Sequence, residues 1–308
     1  MVRILFSTCL IGLLSGCMSL PLLPGLSSEP RVSPQVSPPV ASAAKPAPKI
    51  ALVLGGGGTR GFAHVGVIKA LEAQGIFPDI VVGTSAGSVV GALYSKGFTG
   101  IELQEITIQM EMQHVIDLNW LDYKLTSLIF NPIEGEALQN FINQKIKNLP
   151  IEKLQRKFAA VATDLHSGEM IVFQNGNAGQ AVRASSAVPG VFRPVYISGR
   201  YYVDGGLVRP VPVSVARSLG ADFVIAVDIS SNPKDSTTES RLKELLQTFN
   251  IMIKSINQYE LAGADVVIRP ETSKLDQGDF NGRHQAVLEG EKAALVKMAE
   301  LKAKLKPN

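Results

Sequence analysis

The sequence predicts an α/β fold, a three-layer sandwich with a largely parallel central sheet. Three observations predict it. "KIALVL" (49–54) and "DFVIAVDI" (222–229) are continuous apolar runs rich in β-branched residues, the pattern of strands buried in a parallel sheet. Stretches of helical length alternate with runs of this kind along the chain, as parallel strands joined by crossover helices require. The 308 residues are 45% hydrophobic and 19% charged, a composition that suits a globular core with a removable or flexible end.

The elements follow in order. After the strand at 49–54, residues 61–74 read as a helix closed by Gly75. "DIVVG" (79–83) is a second strand and 86–96 a second helix. Helices are expected over 100–114 and 134–147. "KFAAVATDL" (157–165) and "EMIVFQ" (169–174) read as strands joined by the turn "HSG". "AVRASSAVPG" (181–190) reads as a short helix stopped by Pro189, and "RYYVDGG" (200–206) as a strand ending in a turn. After the strand at 222–229, a helix is expected over about 240–261. "ADVVIRP" (264–270) is the last strand and 285–305 the last helix. One domain, 49–308, is expected.

The residues before it read differently. Arg3 precedes the apolar run Ile4–Leu14, which ends in "LSGC" (14–17). That run is too short for a bilayer-spanning helix of ~20 residues and matches a secretory signal, residues 1–16. The residues around Cys17 resemble the lipobox of bacterial lipoproteins, in which the cysteine is lipidated and becomes the mature first residue. An ordinary signal peptide that happens to hold a cysteine is the plainer alternative. Residues 17–48 would then be the lipidated Cys17 and a semi-rigid tether, with prolines at 21, 24, 30, 34, 38, 39, 46 and 48. The two cysteines, Cys9 and Cys17, both precede the domain, so its fold is expected to need no disulfide. This reading anchors the protein to the bacterial envelope, facing the periplasm. Met18, in place of an aspartate after Cys17, favours the outer membrane. The net charge of +3 comes without a Lys/Arg run interleaved with aromatics, so no nucleic-acid partner is expected.

Chemistry gathers in two glycine-rich stretches. "GGGGTRG" (55–61) contains Gly56, Gly58 and Gly61 in a G-x-G-x-x-G spacing between a strand and a helix. A dinucleotide site would want an acid about 20 residues on, at the end of the next strand. That strand ends in Val81-Val82-Gly83, and no G-K-[ST] follows the loop. No nucleotide is expected. "GTSAG" (83–87) matches G-x-S-x-G in the strand-to-helix setting that gives the motif its meaning. Gly83 and Gly87 permit the tight turn, and Ser85 would sit at a helix N-terminus. A glycine-flanked serine that merely caps a helix is the alternative. If Ser85 attacks an ester, the amides of Gly56, Gly57 and Gly58 can stabilise the oxyanion, each for roughly 3 kcal/mol. Alternatively the glycines serve the turn alone.

A serine nucleophile needs a base, and no histidine is well placed to serve. His64 lies in the first helix, His114 ends another, His166 is in a turn, and His284 lies in the polar stretch "DFNGRHQ". "DGG" (204–206) contributes Asp204, which an Asp-Gly turn explains equally well.

"GGGGTRG", "GTSAG" and "DGG", in this order and at these separations, resemble the patatin-like phospholipase family. The stretches "VRASSAVPGVFRPV" (182–195) and "VDGGLVRPVPV" (203–213) are similar to it too, and the resemblance covers about residues 49–284, nearest to the short bacterial members. It implies Ser85 as nucleophile and Asp204 as the base of a Ser–Asp dyad without histidine. It also implies Gly56, Gly57 and Gly58 as the oxyanion loop, with Arg60 as the loop's basic position. Gly61, Gly83, Gly87, Gly205 and Gly206 complete the motifs. The implied chemistry needs no cofactor and no metal, and no H-E-x-x-H or Cys/His cluster occurs in the chain. The expected activity is hydrolysis of phospholipid or other acyl esters at a membrane. An acyltransferase of the same fold, or a non-catalytic envelope protein that binds lipid or a partner, are the alternatives. "WLDYKLTSLIFNP" (120–132) is read either as an acyl channel or lid, or as ordinary core and loop.

Overall fold

The computed structural model describes residues 47–117, 133–231, 241–273, 275, 278 and 280–306. The expected signal peptide, Cys17, nearly all of the tether and the 120–132 stretch lie outside these residues.

Eight strands form one sheet. β1 (Ile50–Leu54), β2 (Ile80–Thr84), β3 (Lys157–Asp164), β7 (Phe223–Val227) and β8 (Val266–Ile268) run parallel; β4 (Met170–Phe173) and β6 (Arg200–Asp204) each pair antiparallel with β3, and β5 (Val195–Ile197) pairs antiparallel with β6. The strand order is β5-β6-β3-β2-β1-β7-β8, with β4 paired to β3 off that path.

Both faces of the central strands are covered. Along β1, Leu52 and Leu54 join one hydrophobic cluster while Ala51 and Val53 join another on the opposite side, as the two-residue strand period dictates. The first cluster takes in α1 (Phe62–Ala73), α2 (Ala86–Lys96), α4 (Glu136–Lys145), α5 (Ala178–Ser185) and α8 (Arg283–Leu305), and Leu103 of α3 (Gly100–Gln109). The second is closed by α6 (Val213–Ser218) and by Leu261, just after α7 (Arg241–Glu260). These are the three expected layers. Helices α1 and α8 meet closely enough that a Cβ on Gly66 would strike the Val287 carbonyl and one on Gly290 the Ala63 carbonyl.

Several expected boundaries shift for visible reasons. The helix expected over 100–114 ends at Gln109. Its start is fixed by a Thr99–Glu102 capping box, but Met110 is extended and only a single turn, Met112–His114, follows. The helix expected at 181–190 spans Ala178–Ser185 instead. Asn177 caps it by accepting from Gln180 N at 2.7 Å, and the chain leaves the helical path before Pro189. That early exit lets the Ala187 carbonyl accept from Asp204 N at 3.0 Å. Strand β5 has no counterpart in the expected order. It forms a hairpin with β6 through Ser198 and Gly199, both at positive φ (48° and 88°), the backbone that a two-residue turn between twisted strands prefers.

Candidate active site

The register of β3 brings the serine and aspartate motifs together. Val161 pairs with Thr84 of β2 and with Val172 of β4, which must therefore lie on opposite edges. Ala162 pairs with Ile171 of β4 and with Asp204 of β6. Hence β6 takes over the edge of β3 that β2 leaves. Thr84 and Asp204 sit opposite adjacent β3 residues, and Ser85 follows Thr84.

Ser85 is held at φ 54°, ψ −126° between β2 and α2, a conformation that costs a non-glycine residue about 1–3 kcal/mol. Close packing maintains it. A Cβ on Gly83 would strike the Gly87 carbonyl, and one on Gly87 the Leu54 carbonyl, so the two flanking glycines are required by space. The Ser85 amide donates to Ser185 Oγ at 2.9 Å, and that hydroxyl donates to the Val161 carbonyl at 2.6 Å. Ser185 therefore ties the turn at Ser85 to β3. It lies within the 182–195 stretch, but nothing in its own sequence context gave it this task.

Asp204 is 6% exposed. Its Oδ1 accepts from Gly206 N at 2.7 Å. Burial pushes its pKa up to about 6, opposed by the neighbouring Ser85 side chain and by the Gly206 amide. Oδ2 of Asp204 is buried without a partner of full hydrogen-bond geometry. Gly205 packs on the Val161 carbonyl with no room for a side chain.

The glycine loop lies against the same turn. A Cβ on Gly56 would come within 3.2 Å of Ser85 Cβ, and one on Gly61 within 2.7 Å of Ala86 Cβ. One expectation needs correction here. The Gly56 amide is not free to meet an oxyanion, because it donates to the Pro210 carbonyl at 3.0 Å. The carbonyl of the same peptide, on Gly55, accepts from His64 Nε2 at 2.8 Å. His64 is thus a fully buried core residue that pins the loop. Desolvation lowers its pKa to about 4, so it is neutral, with its proton on Nε2. The next peptide but one is held differently. Arg60, 3% exposed, donates from Nε to the Gly57 carbonyl at 3.2 Å. In a trans peptide the carbonyl and the following N–H point in opposite directions, so this bond turns the Gly58 amide away from Arg60. Among the described residues, the Gly57 and Gly58 amides make no hydrogen bond.

A cleft opens over these groups, lined by Gly56, Gly57, Gly58, Arg60, Ser85 and Asp204. Its wall is mostly apolar, with Val188, Leu207, and Leu246, Phe249, Met252 and Ile253 of α7, beside the polar Asn250, Ser230 and Ser231. No described residue lining it is a histidine. His114 stacks on Phe141, the His166 amide donates to Asp164, and His284 starts α8 beside a separate cavity with Lys69 and Arg283.

Strained serine, buried aspartate and glycine loop, set at the carboxyl edge of a mostly parallel sheet, define a serine–aspartate site on a three-layer α/β fold. The chain belongs to the patatin-like phospholipase family: the family model described as Patatin-like phospholipase matches residues 52–217. It is 34% identical over 234 residues to the human patatin-like phospholipase domain-containing protein 6, covering 73% of this chain and 16% of that protein. It is 32% identical over 208 residues to an uncharacterised NTE family protein of Mycobacterium bovis, covering 68% of this chain and 56% of that one. The chain thus spans less than two thirds of either relative. Among solved structures it is similar to VipD from Legionella pneumophila, with 14% identity and a TM-score of 0.47 over 83% of this chain and 67% of that one.

Proposed function

We propose that the protein is a serine acyl hydrolase of the phospholipase A or lysophospholipase type, with Ser85 as nucleophile and Asp204 as the base that takes its proton directly. One observation carries the reading. A buried carboxylate, with one oxygen short of a full hydrogen bond, faces the hydroxyl of a serine held in a strained strand-to-helix turn.

The chemistry follows from that arrangement. An ordinary aspartate, with a pKa near 3.9, is a weak base. Asp204, pushed up to about 6 by burial, is ionised at pH 7 but holds a proton more tightly. As the Ser85 oxygen attacks the ester carbonyl, its proton passes to Asp204. Charge develops on the former carbonyl oxygen, where the Gly57 and Gly58 amides and the N-terminus of α2 receive it. Collapse of this intermediate expels the alcohol, which takes the proton from Asp204 and leaves an acyl group on Ser85. Water, deprotonated by Asp204, then attacks the acyl group; the Ser85 oxygen leaves, takes that proton back, and the fatty acid is released. The apolar wall from α7 suits the acyl chain.

The test is hydrolysis of a p-nitrophenyl acyl ester. Ser85→Ala and Asp204→Asn are each expected to lower kcat by roughly 10³-fold or more, the scale seen when a member of a catalytic unit is removed. Rates within a factor of about two of wild type in either variant would exclude the dyad. We propose also that Cys17 carries a lipid anchor holding the domain at an envelope membrane. The support is the "LSGC" sequence and the proline-rich stretch that follows it.

A further inference from the structure

A second cavity adjoins the cleft and shares Ser230 and Ser231 with it. We propose that this cavity holds the phosphodiester headgroup of the substrate, and that it favours headgroups bearing a hydrogen-bond donor, such as ethanolamine or glycerol, over choline. The proposal rests on the reading of the Ser85 cleft as a phospholipid acyl hydrolase site.

Helix α7 joins the two cavities. Leu246, Phe249, Asn250 and Ile253, spaced three and four apart, line the cleft. The same face continues as Lys254, Asn257, Gln258 and, just past the helix, Leu261, which line the second cavity. Ile253 and Asn257 are one turn apart, about 6 Å along the axis. Over that turn the helix face passes from Leu246, Phe249 and Ile253, with Asn250 among them, to Lys254, Asn257 and Gln258. A phospholipid passes from apolar to polar over the few bonds between its acyl esters and its phosphate.

The polar groups there match a headgroup in charge and in hydrogen bonding. Asp228 accepts at Oδ1 from Ser230 N (3.1 Å) and Oγ (2.6 Å), and at Oδ2 from Arg269 Nε (3.2 Å). That pairing uses one nitrogen of the guanidinium and leaves Nη1 and Nη2. Lys254 is exposed and, among the described residues, makes no ion pair. Two cations against one carboxylate leave a single net positive charge, the complement of one phosphodiester. Asn257 supplies the second requirement. It is 4% exposed, and its Nδ2 donates to Asp228 Oδ1 and Ser230 Oγ at 3.5 and 3.4 Å. Its Oδ1 is then a buried acceptor without a partner. A phosphate oxygen cannot satisfy an acceptor. An ammonium N–H or a glycerol hydroxyl can, and the quaternary nitrogen of choline cannot.

Binding is read without turnover on Ser85→Ala protein, by calorimetry with glycerophosphoethanolamine and glycerophosphocholine. The expected result is saturable binding of the ethanolamine compound, weakened about fivefold or more by the exposed substitution Lys254→Met and about fivefold weaker for the choline compound. In the active protein, Lys254→Met is expected to lower about tenfold the ratio of kcat/KM for phosphatidylethanolamine to that for a diacylglycerol with the same chains. No binding, equal binding of the two compounds, or a binding constant and ratio unmoved by Lys254→Met would overturn the proposal. Absence of any Ser85-dependent hydrolysis by the wild type would instead overturn the reading of the cleft.

Discussion

Asp204 trades stability for basicity. Its folded pKa, near 6, lies above the ~3.9 of an unfolded aspartate. Between pH 4 and pH 6 the folded chain holds a proton there that the unfolded chain has lost, so stability falls as pH rises through this window. The contribution is fully present below pH 4 and gone above pH 6, and the two-unit gap corresponds to about 3 kcal/mol. Two outcomes are expected from this one residue. Ester hydrolysis should rise with pH to a plateau above about 7 and be roughly tenfold lower at pH 5; a flat profile from pH 5 to 8 would rule out Asp204 as the base. Asp204→Asn, which keeps an acceptor for Gly206 N, should raise Tm by several degrees at pH 7.5 and by little at pH 4. Equal effects at both pH values would contradict the buried-charge account.

The elements place these residues through register. β3 receives β2 and β6 end to end on one edge, and this brings together two motifs 119 positions apart in the chain, Ser85 and Asp204. Ser185, at the C-terminal end of α5, fastens the junction by bonding both the Ser85 amide and the Val161 carbonyl. Replacing Ser185 with alanine strands both groups in a buried site, which costs about 1–3 kcal/mol for each unsatisfied partner. Ser185→Ala should therefore lower stability to urea by at least about 2 kcal/mol and lower kcat more than it raises KM, since it shifts the nucleophile and not the acyl wall. A loss confined to stability, with kcat intact, would show that the turn at Ser85 holds its shape without Ser185.

At the scale of the whole molecule, the domain keeps its apolar matter between layers and opens its cleft at the carboxyl edge of the sheet. On the proposed anchoring, a lipid on Cys17 would hold that cleft at high local concentration over a membrane surface. Cells fed a clickable fatty acid should label the wild-type protein, and Cys17→Ala should lose both the label and membrane fractionation. Label that persists in Cys17→Ala would place the modification elsewhere.

The layer order, most strands and helices, and the three glycine-rich motifs were legible in the sequence because each depends on local pattern: apolar periodicity for the strands and helices, absence of side chains for the turns. The turn of the β5–β6 hairpin also has a local signal, Ser198-Gly199. Other features depended on contacts between distant segments. Taken alone, Asp204 read equally well as a turn; the ordered motifs of the family resemblance pointed to it as the base, and the register of β3 shows how it comes to lie near Ser85. Gly56 looked like an oxyanion donor until the Pro210 carbonyl was found to occupy its amide, and His64 and Ser185 had no visible task until their hydrogen bonds crossed between elements. Local pattern specifies which element a residue joins. Only the packed fold specifies which buried polar atoms find partners, and those pairings decide where the chemistry can occur.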